Sequence, residues 1–112
     1  MADYVQVLTT VESEEDGIAL ARGIVEARLA ACVQLVGPIT SVYRWQGALE
    51  QAREWQLLIK TTRDRYGDLE AHMKANHGYD TPEIIATPIL TGSAEYLSWI
   101  DAETAQAGSS PG

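Results

Sequence analysis

The sequence is poor in cysteine and in basic residues, and each shortage excludes a class of protein. Cys32 is its single cysteine, so an intrachain disulfide and any CxxC zinc or redox motif are excluded. Lysine and arginine number 8 against 16 aspartates and glutamates, which gives a formal net charge of −8. This charge opposes binding to the phosphates of nucleic acid and to anionic lipid surfaces. We therefore expect neither nucleic acid nor a membrane as a partner.

Long apolar runs and catalytic motifs are missing as well. The first residues, MADYVQVLTT, contain no basic n-region, and no apolar run approaches the ~20 residues that span a bilayer. The one G-x-S-x-G match, GSSPG at residues 108–112, has no strand pattern before it and no helix pattern after it, and the chain has no P-loop and no G-x-G-x-x-G. Because a single unpaired cysteine suits a reducing compartment, we expect a cytoplasmic protein. Because no catalytic motif stands in a suitable context, we do not expect an enzyme.

The first part of the chain changes from a strand pattern to a helix pattern. DYVQVLTTV predicts a strand over residues 4–11. The following segment predicts a helix that Ser13 caps, with three acidic residues in its positively charged first turn. Its predicted apolar face consists of Ile18, Ala21, Ile24, Val25 and Leu29.

The middle of the chain predicts a long β-hairpin with a turn at Gln46-Gly47. CVQLVGPITSVYRW forms its first arm and ALEQAREWQLLIKTT its second. We interpret Gly37-Pro38 as a bulge inside the first arm, because apolar alternation resumes after it. A helix with Leu69 and Met73 on its apolar side, a strand in IIATPIL and a closing helix in SAEYLSWIDAETAQ complete the chain.

This order of elements is β-α-β-β-α-β followed by a terminal helix. It predicts an α+β fold, a ferredoxin-like sheet with a long β2-β3 hairpin and a C-terminal helix. At 112 residues the chain suits one domain, which we place at residues 1–107, and residues 108–112 form a flexible tail.

The hairpin is too long for a domain of this size. Each arm spans roughly 45 Å at ~3.3 Å per residue, whereas the globule should measure about 35 Å across. Its tip must either project toward another chain or curl back onto its own sheet, and the aromatic and arginine side chains at the tip favour an oligomer. The predicted interface residues are Tyr43, Arg44, Trp45 and Trp55, joined by Trp99 of the last helix, which also suits internal packing.

The segment HGYDTPEI, residues 77–84, holds the candidate metal ligands. His77 can donate an imidazole nitrogen to copper or zinc, or it can simply close the preceding helix. Glu83 can contact a metal or a ligand, or it can bond backbone donors beside Tyr79. Cys32 is soft enough for Cu(I), but its apolar neighbours favour a core position.

With its elements placed, the sequence resembles the CutA family, the divalent-cation tolerance proteins. The resemblance rests on ARLAACVQLVGPITSVYRWQGALEQAREWQLLIKTT, on HGYDTPEIIATPIL and on EYLSWI, which together cover most of residues 27–100. It implies a ferredoxin-like subunit, a homotrimer assembled through the long hairpins and an arrangement similar to the PII signalling proteins. It also implies a link to copper and other divalent cations, with no cofactor required.

This chain departs from the family pattern near the candidate ligands. Relatives proposed to bind copper can carry a cysteine at the position of Thr9 and a second histidine at the position of Asn76, and Gly78 stands where many have proline. We expect a trimeric divalent-cation tolerance protein with His77 and Glu83 as its metal residues. The alternative is a PII-like small-molecule signalling or scaffold trimer without a physiological metal, with a site at an inter-subunit cleft.

Overall fold

A computed structural model describes residues 4–106 of the chain. Its elements are β1 (Tyr4–Val11), α1 (Glu14–Glu26), β2 (Cys32–Trp45), β3 (Ala48–Thr62), a 3-10 turn (Arg63–Arg65), α2 (Tyr66–Asn76), β4 (Ile85–Pro88) and α3 (Ala94–Glu103). The order and type of these elements confirm the predicted α+β, ferredoxin-like arrangement. The proposed tail at 108–112 lies outside the described residues. None of the helices in residues 4–106 is long and apolar enough to cross a membrane.

The four strands form one antiparallel sheet in the order β2-β3-β1-β4. In this register Val7 lies opposite Ile59, and Leu8 lies opposite Leu58. Because successive side chains of a strand point to opposite faces, the first pair lies on one face of the sheet and the second pair on the other. Ser13 caps α1 as predicted, since its hydroxyl oxygen accepts a hydrogen bond from the Asp16 backbone N–H. Strand β1 pairs with β3 of the hairpin on one side and with β4 on the other, so the sheet fixes the hairpin relative to the segment between α2 and β4.

The core lies between the sheet and the helices α1 and α2. Its most deeply buried members are Val7, Leu57, Ile59, Ile24, Leu69 and Met73, each 0% exposed. Cys32 does not belong to it: the thiol-bearing residue is only half-buried at the start of β2. It pairs with Lys60, which alternates with the buried Ile59, so it lies on the other face of the sheet. The prediction of Cys32 as a core residue is therefore wrong for the single subunit.

The apolar face of α1 differs from the predicted one. Its buried residues are Gly17, Leu20, Ala21 and Ile24, whereas Ile18 is 47% and Val25 41% exposed. Gly17 sets this orientation, because a Cβ there would lie 2.9 Å from the Leu35 side chain, so the helix approaches the sheet along the glycine. Ile18 and Val25 each follow a buried position by one residue, about 100° around the helix, and so point aside.

The hairpin has the predicted length, turn and bulge. Its two strands stay paired up to Trp45 and Ala48, and Gln46 and Gly47 adopt left-handed φ values of 50° and 81° at the turn. The register shifts between Val36 and Ile39, which is the bulge predicted at Gly37-Pro38. The described residues extend over 52 × 27 × 23 Å, so the hairpin projects from the domain.

Candidate functional site

The segment after α2 is held in place by the imidazole ring of His77. This residue caps the C-terminus of α2, and its Nδ1 accepts a hydrogen bond from the Tyr79 backbone N–H at 3.1 Å. A neutral ring with Nδ1 as acceptor carries its proton on Nε2, which lies 3.2 Å from the hydroxyl oxygen of Thr9. Burial lowers the pKa of His77, against smaller opposing effects of the Thr10 backbone and Glu54. Both ring nitrogens are therefore engaged.

Tyr79 connects the same segment to the hairpin. Its phenolic hydroxyl donates a hydrogen bond of 2.7 Å to Oε2 of Glu54 on β3. Glu54 is only 7% exposed, which is rare for a carboxylate unless it is paired. Burial and, to a lesser degree, the hydrogen bond to Glu54 raise the pKa of Tyr79, so its hydroxyl remains a proton donor. This bond joins two segments that lie 25 residues apart.

A cleft of about 770 Å³ lies between the end of the hairpin and the segment after His77. It has carboxylates and aromatic rings among its walls, and no lysine, arginine or histidine among its lining residues, all of which the structure describes. Its chemically distinctive residues are Tyr43, Trp45, Glu54, Tyr79, Asp80 and Glu83. The cleft is thus suited to a ligand with positive charge and apolar surface, and ill suited to an anion.

The two predicted metal residues lie on different clefts. His77 lines a second cleft of about 540 Å³ between α1 and α2, together with His72, whereas Glu83 lines the cleft at the hairpin. Within residues 4–106 no group of three or more His, Cys, Asp and Glu side chains could hold a metal ion. The structure therefore does not bring His77 and Glu83 together, and their joint role as ligands stays a prediction.

The predicted interface residues divide into two groups. Tyr43, Arg44 and Trp45 are exposed near the hairpin turn, and Trp99 is 41% exposed on α3, with its ring 5.5 Å from that of Tyr96. Trp55 is half-buried and packs against the core of its own subunit. The first four are available to another chain, and Trp55 has an internal packing role as well.

Sequence reasoning missed Glu54. Its strand pattern places it beside Trp55 with no sign of burial, and its partner Tyr79 is distant along the chain. The only available signal was its register, since Glu54 lies opposite Ile39, directly after the bulge. Bulges redirect side chains, so a carboxylate at such a position is a candidate for a special role.

Comparison with known proteins agrees with this architecture. Residues 5–103 match the family model described as CutA1 divalent ion tolerance protein. The divalent-cation tolerance protein CutA of Thermus thermophilus is 48% identical over 98 residues, which cover 88% of this chain and 95% of that protein. The chloroplastic protein CutA of Arabidopsis thaliana is 46% identical, and the match covers 88% of this chain and 54% of the Arabidopsis protein.

Solved structures show the same fold. The crystal structure of CutA1 from Oryza sativa superimposes with a TM-score of 0.90 at 42% identity, covering 94% of this chain and 96% of the other. The periplasmic divalent cation tolerance protein CutA from Archaeoglobus fulgidus gives a TM-score of 0.87 at 35% identity, covering 94% and 100%. With the family match over residues 5–103, these similarities lead to one conclusion. The chain belongs to the CutA1 divalent ion tolerance family.

Proposed function

We propose that this protein works in divalent-cation tolerance as a homotrimer whose subunits assemble through their β2-β3 hairpins. The observation that carries the assembly is the projecting hairpin, on which Tyr43 and Trp45 are 42% and 43% exposed and Leu49 is 73% exposed. Apolar side chains on a long projecting hairpin invite pairing with another chain. Three subunits is the number that the family resemblance implies.

A charge placed in the hairpin tests this assembly. Trp45→Asp puts a carboxylate where the proposed interface buries an aromatic ring, and we expect it to split the trimer into monomers. Light scattering coupled to gel filtration measures the mass of both proteins. Arg22→Asp, which puts a carboxylate at an exposed position of α1 away from the hairpin, is the control and should stay trimeric. A trimeric Trp45→Asp protein would place the interface elsewhere.

We propose His77 as the residue that gives copper or another divalent cation its nitrogen ligand. The supporting chemistry is the imidazole itself, which lines the cleft between α1 and α2. The metal has to take Nε2 and displace its hydrogen bond with Thr9, so the site should be weak. Glu83 can join only if the segment between the two residues rearranges, because it faces the other cleft.

Calorimetric titration with Cu²⁺ and Zn²⁺ tests the metal role. We expect His77→Ala to weaken copper binding by roughly tenfold or more, the effect of losing a ligand or its support. His72→Ala is the matched control, since His72 lines the same cleft and should matter less. Equal affinity in wild type and His77→Ala, with assembly intact in both, would remove His77 from the site.

The second proposed function is small-molecule binding by a PII-like trimer, and the cleft at the hairpin favours it. Its size of about 770 Å³ falls within the range of ligand pockets, and it combines rings with a few polar groups. The family description names tolerance to divalent ions and no reaction, so we propose no catalytic activity. We also propose that the protein works in the cytoplasm, where a lone cysteine stays reduced.

A further inference from the structure

We propose that the cleft at the hairpin binds a small aliphatic amine in its protonated form, held by the carboxylate of Glu54 and by aromatic walls. This inference rests on the second proposed function and names the chemical class of its ligand. Three carboxylates, Glu54, Asp80 and Glu83, line the cleft, and none of the residues lining it is cationic. The net charge of −8 adds a general attraction for cations.

The position of Glu54 distinguishes this cleft from an ordinary acidic surface. The residue is only 7% exposed, and it lines the cleft. Tyr79 satisfies Oε2, and within residues 4–106 it is the one group seen donating a hydrogen bond to this carboxylate. No buried side-chain oxygen in that range lacks a partner. Oε1 is therefore open to the cleft, where it can accept a hydrogen bond from a ligand.

The open oxygen of Glu54 calls for a ligand that carries N–H donors. A carboxylate accepts hydrogen bonds, and a hydrogen bond between an ammonium and a carboxylate is about twice as strong as a neutral one. A quaternary ammonium has no N–H and would leave Oε1 unsatisfied. A metal ion would need further ligands close by, but no metal-holding group of three acidic or nitrogen or sulfur side chains exists in the described residues.

The aromatic side chains suit the rest of such a ligand. Tyr79 lines the same cleft, and its ring can pack against methylene groups or face an ammonium. Tyr43 and Trp45 also line the cleft, and since the proposed trimer contact uses the same two rings, the cleft lies at the edge of that contact. Asp80 and Glu83 are exposed members of the lining, so they can attract a second ammonium from solvent. A diamine thus matches the cleft better than a monoamine, because it can contact both the buried carboxylate and the exposed ones.

Calorimetry on the native, assembled protein with 1,4-diaminobutane as the probe tests the inference. We expect saturable binding that weakens at least tenfold in Glu54→Gln, whose amide oxygen still accepts the Tyr79 hydrogen bond but carries no charge. Glu26→Gln makes the same change of net charge at an exposed position of α1 outside the cleft, and it should bind like wild type. Tetramethylammonium, which lacks N–H groups, should bind at least tenfold more weakly than the diamine.

Further arms separate the possible failures. If Glu54→Gln does not fold, Asp80→Asn combined with Glu83→Gln replaces it, and this pair should still weaken diamine binding severalfold. Diamine binding that is equal in wild type and in the cleft variant overturns the inference. Saturable binding of ATP or Cu²⁺ that the cleft variant abolishes, without diamine binding, overturns the ligand class and leaves a binding cleft. Absence of binding by every probe at millimolar concentration overturns both the inference and the second proposed function.

Discussion

The hydroxyl of Tyr79 donates a 2.7 Å hydrogen bond to the buried carboxylate of Glu54, and through it the segment after α2 is fastened to the hairpin. The same tyrosine donates its backbone N–H to the ring of His77. One residue therefore joins the candidate metal ligand to the wall of the cleft that we assign to an amine. A substitution at His77 should therefore affect the position of Glu54, and a substitution at Glu54 should affect the position of His77.

Tyr79→Phe should destabilise the protein by about 1–3 kcal/mol, since it leaves a buried carboxylate oxygen without its donor. The measurement is the free energy of unfolding in urea at one fixed protein concentration, because subunit assembly makes apparent stability depend on concentration. Glu26→Gln changes an exposed residue of α1 outside the cleft and should change stability by less than about 0.5 kcal/mol. Similar losses in both variants would count against the Tyr79-Glu54 bond.

Gly37→Ala should destabilise the hairpin, because the new Cβ would lie 2.7 Å from Cγ of Trp55. Forcing the ring aside in a packed site costs typically about 1–3 kcal/mol. Gly67→Ala is the matched control: a Cβ there meets nothing within 4 Å, and alanine in α2 should stabilise by about 0.5–1 kcal/mol. Urea unfolding gives both values. A lower free energy of unfolding in Gly37→Ala and a higher one in Gly67→Ala would support the packing of Trp55 against Gly37. An unchanged free energy of unfolding in Gly37→Ala would refute it.

Acid should destabilise the protein through His77. Burial lowers its folded-state pKa below the ordinary value of about 6.5, so between the two values the unfolded chain binds more protons than the folded one. Stability contributed by the neutral ring is therefore present above about pH 6.5 and is lost as the pH falls toward the folded-state pKa. Protonated Nδ1 can also no longer accept the Tyr79 N–H.

The pH effect is measured as the difference between wild type and His77→Asn in urea unfolding at pH 7.5 and pH 5. We expect the wild type to lose more stability than the variant over this interval, since other groups titrate alike in both. Parallel curves for the two proteins would show that His77 is not held neutral by the fold.

Thr9→Cys should tighten copper binding by about tenfold or more. Its sulfur would take the place of a hydroxyl oxygen that now lies 3.2 Å from Nε2 of His77, and sulfur paired with imidazole suits copper well. Thr9→Ser keeps the hydroxyl and should bind copper as the wild type does. Calorimetry with Cu²⁺, in the absence of both oxygen and added reductant, and spectroscopy for a copper(II)-sulfur band check the result. Unchanged affinity in Thr9→Cys would show that a metal does not reach this position.

The sequence predicted those features that depend on local pattern. Alternation and turn chemistry located β1, the hairpin and its Gln46-Gly47 turn, and Ser13 marked the start of α1, because each involves neighbours along the chain. The predicted apolar face of α1 was wrong because Gly17 lies against the sheet, and a search for apolar side chains gives no signal at a glycine.

The candidate site was only partly predictable for the same reason. The engagement of both nitrogens of His77 depends on Thr9, which is 68 residues away, and the burial of Glu54 depends on Tyr79. Such contacts exist only after the strands have paired, so no spacing within the sequence reports them. The sequence did indicate which functional groups the site contains, namely an imidazole and carboxylates beside a hairpin with aromatic side chains.

Sedimentation equilibrium of the wild-type protein at micromolar concentration shows whether the subunits assemble. The exposed rings of Tyr43 and Trp45 predict that the chains associate, and the family resemblance implies three of them. We therefore expect a stable species of three times the mass of one chain, with no dissociation on tenfold dilution. A single species with the mass of one chain would contradict the account, because the projecting hairpin would then be stable in water without a partner.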